Sequence, residues 1–226
     1  MKFKKYYLFA FIGLLLVATC VGCGKEEKEE EMITGGYSIS ETVAGTLPEN
    51  ALRAFNNATN NDGKYVPLAC MGTQVVAGTN YMILAKTEEK LVVLVIYEDL
   101  NQTATITNTY DFNLTDYITN NTNVTDNTNL AGGWNVPSEG NLDAMPQQLA
   151  TAWSEAFLDF KEISLEPLAC LGTQVVAGTN YAMLARGTLD GETLNLYMVI
   201  IYNDLDNNAS VTSASQIDLT KINTNK

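Results

Sequence analysis

The chain contains no histidine, and this absence excludes several kinds of enzyme. Ser-His-Asp and Cys-His nucleophilic catalysis both need an imidazole base, and the HExxH zinc site needs two imidazole ligands. Pairs of carboxylates could still serve as general acid and base. However, the acidic residues lie mostly in predicted loops and tails, and no acidic cluster recurs in both halves of the chain. We therefore expect a protein without catalytic activity, cofactor or metal.

Basic residues are also scarce. The chain has 13 lysines and arginines against 26 aspartates and glutamates, a formal net charge of −13. Three of the lysines lie at the N-terminus, before an apolar segment, so the remainder of the chain is more acidic still. A chain of this charge has no surface that could neutralise a phosphate backbone, which excludes nucleic acid as a partner.

The N-terminus lacks an apolar run long enough to span a bilayer. Tyr6–Ala18 is apolar over 13 residues, which is typical of a signal peptide and short for a transmembrane helix. The segment ends in Gly22-Cys23, and a cysteine after a small residue is typical of a bacterial lipoprotein signal. Cys23 fits this pattern better than Cys20, which follows a threonine. We expect residues 1–23 to be a lipoprotein signal peptide, with lipidation at Cys23.

A lipid on Cys23 would anchor the exported protein to the extracytoplasmic face of the cell membrane. The alternative is an ordinary secretory leader with incidental cysteines. Residues 24–32 are rich in lysine and glutamate and are predicted to be a solvated tether. If the anchor is real, Cys23→Ser should move the protein out of the membrane fraction. Unchanged membrane association of that variant would refute the assignment.

The rest of the chain is a repeat. Pro67–Tyr81 and Pro167–Tyr181 are identical except that Met71 is replaced by Leu171, and they are offset by 100 residues. Such self-similarity indicates two copies of one structural unit. We define repeat one as residues 33–119 and repeat two as residues 130–226, with an Asn- and Thr-rich linker at 120–129.

Each repeat holds one cysteine, Cys70 or Cys170, so neither repeat can close an internal disulfide. With no base or cation evident nearby, we interpret both as packing residues. The periodicities predict one helix and four strands per repeat, an α+β fold with the helix laid across a curved antiparallel sheet of four to five strands. The predicted helices are Pro48–Thr59 and Pro146–Phe160. The predicted strands are Tyr65–Val75, Thr79–Lys86, Leu91–Tyr97 and Thr103–Phe112, then Leu194–Tyr202 and Ala209–Leu219 after the second hairpin.

The duplicated Gln-Val-Val-Ala-Gly hairpin, following a helix and a double glycine, resembles the cystatins, inhibitors of papain-like cysteine peptidases. The stefin branch is the most similar, since stefins also lack disulfides and begin with a stretch like Met32–Gly36. The resemblance extends over the element order of each repeat and implies two tandem cystatin-like domains. Repeat two departs from the pattern, because Leu130-Ala131 stands where repeat one has Ile33-Thr34.

In that family, three pieces form a wedge that enters the peptidase cleft: a glycine-led start, the hairpin tip and a second loop. The resemblance therefore implies reversible, non-covalent inhibition by occlusion of the active site. The implied peptidase-binding residues are Gly35, Gly36, Gln74, Val75, Val76, Ala77, Gly78 and Leu100 in repeat one, and Gly132, Gly133, Gln174, Val175, Val176, Ala177, Gly178 and Leu205 in repeat two.

A different function remains open at this point. A cell-surface adhesion or ligand-binding module built on the same fold could keep the hairpin for folding alone. An inhibitor should present the three apolar pieces on one unobstructed edge, whereas an adhesion module could bury them or bind its partner elsewhere.

Overall fold

A computed structural model describes residues 36–40, 46–118, 133–136, 147–160, 163–189, 191 and 193–222. These ranges all belong to one compact unit, residues 32–226. The predicted signal peptide, tether and linker, together with Cys23, Gly35 and Gly132, lie outside the described residues. Within the described part of the chain, no helix is long and apolar enough to cross a membrane.

Repeat one forms a five-stranded antiparallel sheet in the strand order β1-β2-β3-β4-β5. One helix precedes the long β2–β3 hairpin, and a 3-10 turn at Leu114–Asp116 follows the last strand. The elements are β1 (Ser38–Ile39), α1 (Glu49–Thr59), β2 (Val66–Val76), β3 (Gly78–Lys86), β4 (Leu91–Glu98) and β5 (Ala104–Asp111).

Repeat two forms a four-stranded antiparallel sheet in the order β6-β7-β8-β9. Before its helix, the described residues 133–136 form an isolated bridge between Asn135 and Thr173. The elements are α2 (Gln147–Ala156), β6 (Ser164–Val176), β7 (Gly178–Thr188), β8 (Asn195–Asn203) and β9 (Ala209–Ile217).

Each helix covers one face of its own sheet. Pro48 precedes the first turn of α1, where a missing N–H costs no hydrogen bond, and α1 ends at Asn60 in the left-handed conformation. Phe55 of α1 and Trp153 of α2 hold the same place in the two repeats, and both are buried against apolar strand residues. α2 ends at Ala156, earlier than the predicted Phe160.

The opposite faces of the two sheets share a single apolar core. Its buried members include Met71, Leu84 and Val93 from repeat one, and Leu171 and Leu184 from repeat two. This arrangement explains why β4 is buried at nearly every position, whereas a strand with one solvated face would alternate. The strands β4 and β8 thus have a helix on one side and the shared core on the other.

The contacts between the repeats are reciprocal. A Cβ added at Gly72 would lie 2.8 Å from Cδ1 of Leu219, and one added at Gly172 would lie 2.9 Å from Cδ1 of Leu114. Leu114 and Leu219 are equivalent residues after the last strand of each repeat. Such exchange of equivalent contacts is characteristic of a two-fold interface. The tail after β5 therefore packs on the other repeat.

The predicted fold class is wrong. We expected two tandem domains, each with one helix across its own curved sheet. The described chain is instead mostly antiparallel sheet, in sheets of five and four strands with only two short helices. The physical reason is that the inner strands β4 and β8 are apolar on both faces. A helix of 10 or 11 residues covers only one of these faces, so the second is buried against the other sheet.

Candidate functional site

In both repeats, the tip of the long hairpin and the loop after the third predicted strand, observed as β4 or β8, lie at one end of the sheet. The β2–β3 hairpin closes with Val76 opposite Gly78, which leaves Ala77 at the tip. β4 runs beside β3 with Glu98 opposite Thr79, so the loop that carries Leu100 begins next to the tip. Repeat two has the same register.

The chain before the first helix reaches the same end. Ser38 pairs with Thr73, and if this antiparallel register continues by two residues, Gly36 lies level with Val75. In repeat two Asn135 pairs with Thr173, which sets Gly133 level with Val175 in the same way. The hydrogen bonds between Asn135 and Thr173 measure 2.7 and 2.9 Å. On this register the described parts of the three pieces named from the sequence lie at the same end of the sheet in each repeat, and we call each set a three-part edge.

Each three-part edge exposes apolar side chains that contribute nothing to the core. Val75 and Val175 are 62% and 66% exposed, and Leu100 and Leu205 are 84% and 79% exposed. Val76 and Val176 are also exposed. Together with Ala77 and Ala177, which are exposed and uncharged, they form an apolar surface. Removing this surface from water costs little free energy. The described strands elsewhere keep most large apolar residues buried.

A tyrosine holds each tip in place. The Tyr97 hydroxyl donates to the Ala77 carbonyl at 2.6 Å, and the Tyr202 hydroxyl donates to the Ala177 carbonyl. The rings of these tyrosines lie close to Gly78 and Gly178. Sequence reasoning missed both tyrosines, although their identical position at the end of β4 and β8 was a usable signal.

Gly78 and Gly178 are required by the backbone. Their φ values are 131° and 124°, in the region that side chains disfavour. A Cβ at Gly78 would also collide with the Glu98 carbonyl, and one at Gly178 with the Asn203 carbonyl. Substitution of either glycine would therefore strain the hairpin. A loss of binding in such a variant could not be distinguished from a loss of folding.

The glutamines of the motif act within the hairpin. Asn80 Nδ2 donates to Gln74 Oε1 at 2.7 Å, and Asn180 Nδ2 donates to Gln174 Oε1 at the same distance. Gln174 is buried, so its side chain supports the tip instead of extending the exposed surface. The exposed valines therefore remain the principal candidates of the motif for contact with a partner.

The second loop is a preformed turn in both repeats. Asp99 Oδ1 accepts the backbone N–H groups of Asn101 and Thr103 at 2.8 and 2.9 Å. The equivalent Asp204 Oδ1 accepts those of Asp206 and Asn208 at 2.9 and 2.8 Å.

The side chain of Asn208 adds a hydrogen bond to Asp204 Oδ2 at 2.9 Å. These bonds to Asn208, with that from the Asp206 N–H, lower the pKa of Asp204 below its usual range. The turn directs Leu205 toward solvent, and the backbone N–H groups of the turn find their hydrogen-bond acceptor within it, at Asp204.

The two cysteines lie away from the three-part edges and are poor nucleophiles. Burial raises the pKa of both the Cys70 and the Cys170 thiol to about 11. Each Sγ contacts the carbonyl of the glycine two residues further on, at 3.8 and 3.6 Å. This geometry agrees with the packing role inferred from the sequence.

The repeats differ beside the second loop. In repeat one, Glu98 is buried and receives hydrogen bonds from Arg53 Nε and Nη2 at 3.2 and 3.0 Å and from the Tyr81 hydroxyl at 3.2 Å. The bond to Glu98 raises the pKa of Arg53. In repeat two the equivalent positions hold Thr151 and Asn203, so the ion pair is missing there.

Comparison with known proteins adds no further assignment. No model of a known protein family matches this chain, and a search of curated proteins finds no match.

Proposed function

We propose that this protein is a reversible, non-covalent inhibitor of papain-like cysteine peptidases. The observation that carries the proposal is the three-part edge. In each repeat a glycine-led segment, an apolar hairpin tip and an exposed leucine loop lie together at one end of the sheet. The motif-level resemblance to stefin-type inhibitors supports the same function.

The chemistry of the edge suits insertion into a narrow cleft. The tip residues Val75–Ala77 carry no charge, and their exposed apolar atoms favour burial against a partner. The glycine-led segment can approach another backbone closely because Gly36 and Gly133 lack a Cβ. Bound in this way, the hairpin tip and the glycine-led segment would block the catalytic centre of the peptidase. Neither would place a peptide bond where the catalytic cysteine could cleave it.

Rigidity of the edge favours affinity. The tip is fixed by Tyr97 or Tyr202, and the second loop by Asp99 or Asp204. A surface that is already ordered loses little conformational entropy on binding, so a modest contact area can give an inhibition constant in about the nanomolar range. Both repeats share these devices, and we infer that both can inhibit.

The test is titration of papain with residues 32–226, the compact unit of the chain. Competitive inhibition that is regained as activity on dilution is expected, because the proposed mechanism forms no covalent bond. Full papain activity would instead favour the adhesion or ligand-binding module, whose partner has no reason to enter a peptidase cleft.

A further inference from the structure

We propose that repeat two contains a binding pocket for a guanidinium group, between the start of α2 and the second loop. The inference is independent of peptidase inhibition. The pocket has a volume of about 250 Å³. Its lining residues are Gln147, Gln148, Thr151, Ala152, Asn203 and Asn207.

In repeat one, an arginine side chain occupies the position equivalent to this pocket. Counted from the proline before each helix, Thr151 is the equivalent of Arg53 and Gln148 the equivalent of Asn50. Asn203 is likewise the equivalent of Glu98 at the end of the strand. In repeat one the Arg53 guanidinium lies between the equivalent residues, donating to Glu98 and, at 2.8 Å through Nη1, to Asn50 Oδ1.

In repeat two the guanidinium is missing but an acceptor remains. Asn203 Oδ1 is buried and receives no hydrogen bond from any described residue. A buried acceptor without a donor is costly, so a donor that reaches it would be stabilised. A planar guanidinium has five N–H donors, and it would replace those that Arg53 supplies in repeat one.

The charges around the pocket determine whether it favours a cation or an anion. The first turn of α2 has the partial positive charge of a helix N-terminus and by itself would favour an anion. Against this, the unpartnered atom is an acceptor, Asp204 and Asp206 lie one and three residues after Asn203, and the chain has a net charge of −13. Long-range attraction therefore brings cations to this surface.

The experiment measures side-chain amide shifts of Asn203 and Gln148 by NMR in residues 32–226, during titration with methylguanidinium. Saturable shifts with a dissociation constant in about the millimolar range are expected, since the probe is small. Asn203→Asp should tighten binding about tenfold, because a carboxylate makes the hydrogen bonds charge-assisted. Thr151→Arg should abolish the shifts by filling the pocket.

Controls separate the proposal from simple charge effects. Ser154→Arg adds the same charge on an exposed position of α2 outside the pocket lining and should leave binding unchanged. The affinity of an arginine-containing peptide, compared with that of methylguanidinium, shows whether the pocket prefers a guanidinium on a peptide or a free one. The same peptide with citrulline in place of arginine lacks the positive charge and should not bind.

Absence of saturable shifts, equal binding of acetate, or undiminished binding in Thr151→Arg would overturn the proposal.

Discussion

Replacing Val75 and Val175 together by arginine is expected to weaken inhibition of papain by at least about 100-fold, because two charged side chains would have to be desolvated at the centre of the contact. Both valines are more than half exposed and make no core contact, so the melting temperature should change little. The measurement is the inhibition constant of the double variant alongside its thermal unfolding.

The matched control places the same charges elsewhere on the sheets. Thr109 on β5 and Ala214 on β9 are equivalent, exposed positions away from the three-part edges. Thr109→Arg with Ala214→Arg should inhibit like the native protein. If the valine variant remained a good inhibitor while folded, the hairpin tips would not be the contact surface.

Replacing Leu84 by aspartate is expected to unfold both repeats. Leu84 is fully buried in the core that the two sheets share. Burial of a carboxylate there costs several kcal/mol, which is comparable with the total of about 5–15 kcal/mol that stabilises a typical domain.

Tryptophan fluorescence measures whether the substitution in repeat one also unfolds repeat two. Both tryptophans, Trp134 and Trp153, lie in repeat two, whereas the substitution is in repeat one. A red shift of their emission in Leu84→Asp would report loss of repeat two through the shared core. Native tryptophan emission in a variant whose repeat one has unfolded would show that the repeats are independent. Thr109→Asp, on an exposed edge strand, should leave the emission unchanged.

The order of elements could be predicted from local pattern. The helix after Pro48 and the hairpin around Ala77 appear within one or two residues of the expected bounds, since proline, glycine and alternation of apolar residues act locally. The grouping of tip, loop and glycine segment was expected only through the resemblance.

The packing of the two sheets could not be predicted. A continuous apolar run such as Leu91–Ile96 indicates that both faces are covered, but it does not say by what. The contact of Leu114 with Gly172 joins residues far apart in the chain, and no local pattern encodes it. The same holds for Tyr97 and Ala77, whose contact depends on the register of neighbouring strands. The pocket beside Asn203 joins residues of α2 and of the loop after β8, and no local pattern encodes this contact either.

The most direct test of the central claim is the papain titration, followed to stoichiometry with a small reporter substrate. If each three-part edge occludes an active site, activity should fall linearly to zero as folded protein is added, with as many as one papain bound per edge. It should return when the complex is diluted well below its dissociation constant. Papain that keeps full activity in the presence of about micromolar folded protein would contradict the account, because an edge built to fill that cleft should bind far below this concentration.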